Sequence, residues 1–341
     1  MHDPLPLAAV LDVFANRPQP CRLDGDLQVA MRVCLEQQLD VLPLPGAGGT
    51  IERWQALAAV AGHDLALAKL FESHTDARAT LRELKADSLY APGIWAIWAA
   101  EPPQARVLVT QDSSGGWVLN GLKAWCSGAA QIDFALVTAW NDQAEPQLVK
   151  VALDQPGVHV TEQGWHAVGM AATASVEVQF DRAKVSPVGA PGAYLSRPGF
   201  WHGGAGIAAC WYGAAAALAV YLKECCEQHK DVHAQAHLGV VDATLSSASA
   251  ALRECAAWID ANPAADAQLV VRRVRAQIEH AAETVLRHVG RAMGANPYCR
   301  DPRFARLSAD LPVFMRQSHA ERDLAELGRQ VAESRLSGWA L

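Results

Sequence analysis

Between residues 86 and 190 the helical spacing of apolar residues that runs through the rest of the chain stops. Val107 to Thr110, Trp117 to Leu119, Phe134 to Thr138, Leu148 to Leu153 and Val176 to Phe180 are short apolar runs rich in β-branched residues. Turn residues at Ser113-Ser114-Gly115-Gly116 and Gln155-Pro156-Gly157 separate them. Short strands so closely spaced suit a compact antiparallel barrel or sandwich. Strands gathered in one block, with helices before and after, make the fold class α+β.

The flanks read as helix. Leu7 to Phe14, Asp26 to Gln38, a helix capped by Thr50, and Asp64 to Leu84 are expected before the strands, with Asp24 or Asp26 as an N-cap of the second. Pro43-Leu44-Pro45-Gly46-Ala47-Gly48-Gly49 breaks this run. After the strands come Gly206 to His229, Val232 to Asp260, Ala264 to Met293, Phe304 to Arg316 and Ala320 to Ser334, a bundle of four or five helices. The expected domains are an N-terminal helical domain over 1–85, a β-domain over 86–200 and a C-terminal bundle over 201–341.

Composition bounds the function classes. The chain has 341 residues, 51% hydrophobic, enough for a large core. A net charge of −7 argues against a nucleic-acid surface. The sequence is read as lacking an apolar run of about 18 residues, so no membrane span is expected. Met1-His2-Asp3-Pro4 has neither the basic start nor the apolar core of a signal peptide. Eight scattered cysteines without a Cys-x-x-Cys pair suit free thiols in a reducing cytoplasm. The twelve histidines are read as showing no His-x-x-x-His or paired metal spacing, so no structural metal is expected.

Within the strand block, Asn120-Gly121 is a two-residue hairpin signal. It opens Leu119-Asn120-Gly121-Leu122-Lys123-Ala124-Trp125-Cys126-Ser127-Gly128-Ala129, followed by Asp133 and a strand. A second block, Gly169-Met170-Ala171-Ala172-Thr173-Ala174-Ser175, precedes the strand Val176 to Phe180 and Asp181. The two blocks resemble the central β-domain signature of the acyl-CoA dehydrogenase superfamily, and the helix–β–helix order matches that architecture. The N-terminal helical part is shorter than is usual there.

The resemblance implies a flavin between the β-domain and the bundle. Ser127 would bond flavin N5 through its hydroxyl and its backbone N–H, and Trp125 would sit beside the ring. Read alone, Trp125 is equally a core residue of a hairpin. The loop that usually reads Thr-Glu-Pro is Ala100-Glu101-Pro102 here, so Ala100 offers a backbone N–H and no hydroxyl. Trp98 and Trp95 are either ring neighbours or core. At the adenine end, Gln235 stands where an Arg is usual, and the Gly-rich loop shrinks to Gly290 to Asn296. Arg272, Arg273 or Arg275 would have to compensate. FAD is therefore the leading cofactor, with FMN the alternative.

A dehydrogenase of this superfamily needs a Glu to take the α-proton while hydride leaves the β-carbon. Nine residues after Asp310 the chain has His319, and the start of the first bundle helix, the other place for the base, has His202 and no carboxylate. Glu321 is the nearest acid. The main expectation is a flavoprotein oxidoreductase acting on an acyl thioester, with His319 as proton acceptor and His202 lining the cavity. The alternatives are a two-component flavin monooxygenase fed by a reductase, and a non-catalytic paralogue that keeps the fold for binding. Expected partners are a small-molecule substrate, an electron-transfer protein or flavin reductase, and further copies of the chain in a homo-oligomer.

Overall fold

The computed structural model describes residues 26–102, 104–334 and 339. The expected helix Leu7 to Phe14, Asp24 and Cys21 lie outside the described residues. Three helices come first: α1 (Asp26–Glu36), α2 (Thr50–His63) and α3 (Leu65–Glu83). Asp64 caps α3, its side chain accepting the Leu67 N–H at 2.9 Å. Thr50 is itself the first residue of α2 and makes no cap; its hydroxyl bonds Asp260 at 2.6 Å instead.

The middle holds β1 (Trp95–Trp98), β2 (Val107–Gln111), β3 (Trp117–Cys126), β4 (Phe134–Trp140), β5 (Pro146–Ala152), β6 (Val158–Val160) and β7 (Val176–Val188). Pairing runs β4–β2–β3–β7–β5 and returns to β4, so five strands close a barrel. β1 extends the sheet beside β4, and β6 pairs with β7. The barrel is not wholly antiparallel, because β1–β4 and β2–β4 are parallel. The exposed edge of β1 is covered by α3: Trp95 N–H donates to His74 Nδ1 at 3.0 Å and Ile97 N–H to Ser73 Oγ at 2.8 Å.

Asn120-Gly121 is not a hairpin turn. It lies inside β3, at an irregularity in its pairing with β7. Gly121 has φ +119, and a Cβ there would stand 2.4 Å from the Arg106 carbonyl oxygen. Glycine is required because the strand bends tightly over its neighbour.

The C-terminal part runs α4 (Ala193–Ser196), α5 (Gly199–Gln228), α6 (Val232–Ala261), α7 (Gln268–Met293), α8 (Ala295–Arg300), α9 (Pro302–Met315) and α10 (Glu321–Glu333). By length and composition alone α5 is long and apolar enough to cross a membrane, a run the sequence reading overlooked. Here it is the centre of the bundle, with 61% of its most apolar window buried against α2, α6 and α7. Glycines let it approach α2: a Cβ on Gly213 would stand 2.0 Å from the Ala58 carbonyl oxygen. Cys34, Cys126, Cys210, Cys225, Cys226, Cys255 and Cys299 are thiols outside any disulfide.

Candidate active site

The turn after β3 carries the first group of candidate residues. Trp125 has φ +56 and is 52% exposed, so its indole stands off the barrel instead of joining the core. Ser127 and Gly128 follow it into the interior. Gly128 N–H donates to the Thr173 carbonyl at 2.7 Å, and Leu70 of α3 packs directly over the glycine. Trp98, at the end of β1, is buried and donates its indole N–H to the Ser127 carbonyl at 3.2 Å. The turn after β3 and the loop after β1 are thereby joined, as the two flavin-contacting segments of the resemblance need to be.

Ser127 does not present the donors that the sequence suggested. Its N–H is turned to the Trp125 carbonyl at 3.1 Å, and its hydroxyl is paired with that of Ser175 at 2.8 Å. Strain collects around it, with Trp125, Met170 and Ala174 all at positive φ without being glycine. Such backbone persists where surrounding structure over-determines it, commonly at ligand sites.

Ala100 lies in the loop after β1, partly exposed, beside a rigid anchor. Glu101 Oε1 accepts from Thr138 Oγ1 at 2.8 Å and faces Lys123 Nζ at 3.4 Å; Oε2 accepts the Trp140 indole N–H at 2.9 Å. Lys123 is fully buried and also donates to the Thr138 carbonyl at 2.9 Å. Burial lowers its pKa, against the pull of Glu101. This buried ammonium was not singled out in the sequence, though a lysine in an alternating strand is a signal that could have marked it.

The two histidines sit on segments brought together by Arg275. Its Nη1 donates to the Gly204 carbonyl at 2.6 Å, and its Nη2 lies 3.5 Å from the Gln317 carbonyl. His202 is 2% exposed and its Nε2 has no partner. Burial lowers its pKa; Glu83 and Asp260 pull it back up and Arg197 opposes them. His319 is exposed in the turn before α10, with its backbone N–H on Asp323 Oδ2 at 3.0 Å and the next residue, Ala320, at φ +46. Burial raises the Asp323 pKa, but the His319 N–H and the charges of His319, Arg275 and Arg272 outweigh it and hold it low. Glu321 is exposed in the first turn of α10.

Two of the three arginines proposed for the adenine end, Arg272 and Arg275, are engaged elsewhere. Arg272 pairs with Asp323 at 3.2 Å and stacks on Trp201, and Arg275 stacks on Trp211. Gly290 to Met293 belong to α7, with Gly290 against the Tyr298 hydroxyl. Gln235 is exposed. A groove of about 420 Å³ between α5 and α6, lined by Tyr212, Lys223, Asp242 and Arg253 among others, includes none of the predicted site residues. His233 and His237 stand four apart on α6, a pair the sequence reading passed over; His237 Nδ1 meets His288 Nδ1 of α7 at 2.9 Å.

The comparisons agree with the β-domain blocks. A family model described as acyl-CoA dehydrogenase, middle domain, matches residues 100–183. A stretch of 97 residues is 35% identical to dibenzothiophene monooxygenase from Rhodococcus erythropolis, spanning 26% of this chain and 23% of that relative. TdsC from Paenibacillus sp. A11-2, solved with FMN and indole, superposes with a TM-score of 0.77 at 21% identity over 95% of this chain and 94% of that one. Methanesulfinate monooxygenase MsuC from Pseudomonas fluorescens gives a TM-score of 0.79 at 18% identity, over 96% and 97%. Residues 100–183 thus match the acyl-CoA dehydrogenase middle domain, and the chain has the acyl-CoA dehydrogenase-like fold of these neighbours.

Proposed function

We propose that the chain is a flavin-dependent monooxygenase that receives reduced FMN from a separate reductase and oxygenates a small aromatic or heteroatom-bearing substrate. The observation that carries this reading is the pair of imidazoles, His202 and His319, on the two segments that Arg275 ties together, where a dehydrogenase would need a carboxylate. An exposed Glu321 two residues from His319 is a poor substitute for a base held in place. The names of the relatives point the same way: oxygenation of dibenzothiophene and methanesulfinate, and a structure holding FMN and indole. An acyl thioester substrate has no such support.

The chain's residues fit a flavin ring. Trp98 and the Ala100 backbone would meet its pyrimidine side, Ser127 the N5 edge, and Trp125 one flank. Glu101, anchored by Lys123, Thr138 and Trp140, keeps the Ala100 loop from shifting. FMN suits the site better than FAD, because Arg272 and Arg275 are engaged with Asp323, Gly204 and the indoles of Trp201 and Trp211. Reduced flavin, when bound, supplies the electrons that activate dioxygen. His319 would exchange a proton with substrate, since an imidazole can both give and take one. His202, whose pKa burial lowers, would offer its unpartnered Nε2 as a polar contact to the substrate. A homo-oligomer and a cytoplasmic location, with a reductase at hand, belong to the same proposal.

The test is anaerobic mixing of the flavin-loaded protein with saturated acyl-CoA thioesters, followed by the visible flavin band. The band is expected to stay unchanged while NADH and a flavin reductase reduce it. Bleaching by an acyl-CoA would restore the dehydrogenase reading.

A further inference from the structure

Three hydroxyls run in series behind the Ser127 turn. Thr173 Oγ1 lies 2.8 Å from the Met170 carbonyl oxygen, a group that only accepts, so the Thr173 proton is committed there. Ser175 Oγ is 2.9 Å from Thr173 Oγ1, and with the Thr173 proton engaged Ser175 must be the donor. Ser127 Oγ is 2.8 Å from Ser175 Oγ, and Ser175 has no second proton, so Ser127 donates. The order is fixed from its far end: Ser127 to Ser175 to Thr173 to Met170. Ser127, Ser175 and Thr173 are 9%, 4% and 1% exposed, so water has little access to reverse it. The Ser127 N–H is turned to the Trp125 carbonyl. What Ser127 has left for a ligand is a pair of oxygen lone pairs.

We infer that this relay makes Ser127 an acceptor toward its ligand, and so makes the site selective for reduced flavin, which carries a proton on N5, over oxidised flavin, whose N5 is itself an acceptor. The inference rests on the proposed reading of Ser127 as the N5 contact. Two acceptors facing each other in a buried site leave both unpaired, whereas the reduced form completes the relay. The difference of about one hydrogen bond corresponds to roughly tenfold in affinity. Ser175 and Thr173 are positioning residues here, since they act through Ser127. Selection of this kind would let the protein ignore oxidised flavin and accept only what a reductase has just released.

The experiment is a pair of titrations of the full chain, one with oxidised FMN and one with dithionite-reduced FMN under argon, both read by quenching of tryptophan fluorescence. The expected Kd for reduced FMN is about tenfold lower. Ser175→Ala removes the acceptor of the Ser127 proton, so that proton can turn to the ligand and the ratio of the two Kd values should fall toward one. Thr173→Val frees the Ser175 proton to donate to Ser127 and should act in the same direction. A role in packing alone would weaken both forms together and leave the ratio where it was. Equal affinity in the unaltered protein, or an unchanged ratio in both variants, overturns the inference while leaving a flavin site in place. Binding of neither form overturns the reading of the Ser127 turn as a flavin site, and the inference with it.

Discussion

Asp310, in α9, accepts the backbone N–H of Met170 through Oδ1, and so fastens the helical bundle to the loop that ends in the Ser127 relay. The Met170 carbonyl on the same residue takes the Thr173 hydroxyl and the Trp165 indole N–H. Close packing accompanies the bond: a Cβ on Gly169 would stand 2.0 Å from the Ala309 carbonyl oxygen.

Burial pushes the Asp310 pKa up to about 6; Asp64 adds to the rise, while the Met170 N–H and Arg306 oppose it. A carboxyl raised in the folded state makes that state bind more protons than the unfolded chain between about pH 4 and 6, so this group's contribution to stability falls as pH rises through that window. Above it the buried charge costs roughly 3 kcal/mol. Asp310→Asn keeps an acceptor for Met170 and removes the charge. It should raise the melting temperature at pH 8, with the gain vanishing near pH 4. A variant less stable than the parent at pH 8 would refute this account of Asp310.

Lys123 and Glu101 should respond unequally to loss of the partner. Removing Glu101 leaves the ammonium, 1% exposed, with only the neutral Thr138 groups; removing Lys123 leaves a carboxylate, 29% exposed, with Thr138 and Trp140. Glu101→Ala is expected to cost about 3 kcal/mol in urea unfolding and Lys123→Met about 1 kcal/mol. Equal costs, or the reverse order, would contradict the burial argument.

How much of this was legible beforehand can be read from particular residues. The Trp125-Cys126-Ser127-Gly128 block and the helix–β–helix order were readable, because turn chemistry and periodicity are local. Asn120-Gly121 misled for the same reason: its glycine answers to the carbonyl of Arg106, the residue before β2, which lies outside the local pattern. β1 was missed because Trp95-Ala96-Ile97-Trp98 is almost wholly buried and does not alternate. The direction of the relay needed Thr173 and Ser175 to lie behind Ser127, and the His237–His288 contact needed two helices side by side. No one-dimensional spacing carries either.

The crossing of α2 and α5 permits no side chain at Gly213. Gly213→Ala would force its Cβ into the Ala58 backbone and is expected to lose about 3 kcal/mol or more, with a lower urea midpoint. The exposed Gly239 in α6 meets nothing within 4 Å, and Gly239→Ala should hold or raise stability. Similar effects at the two positions would show that the helices can separate to make room.

His202 separates function from packing. Its buried Nε2 has no partner, so His202→Leu removes an unsatisfied polar group and should leave the melting temperature unchanged or higher. Product formation should fall by roughly tenfold or more if Nε2 meets the substrate. A large loss of stability would instead mark His202 as structural.

The most direct test of the central claim is oxygenation under ¹⁸O₂, with the full chain, FMN, NADH and a flavin reductase acting on indole, thioethers and alkyl sulfinates. One ¹⁸O atom in the product, at a level that falls at least tenfold in His319→Ala, is the result the account predicts. Products without ¹⁸O, or yields no higher than with the reductase alone, would contradict it.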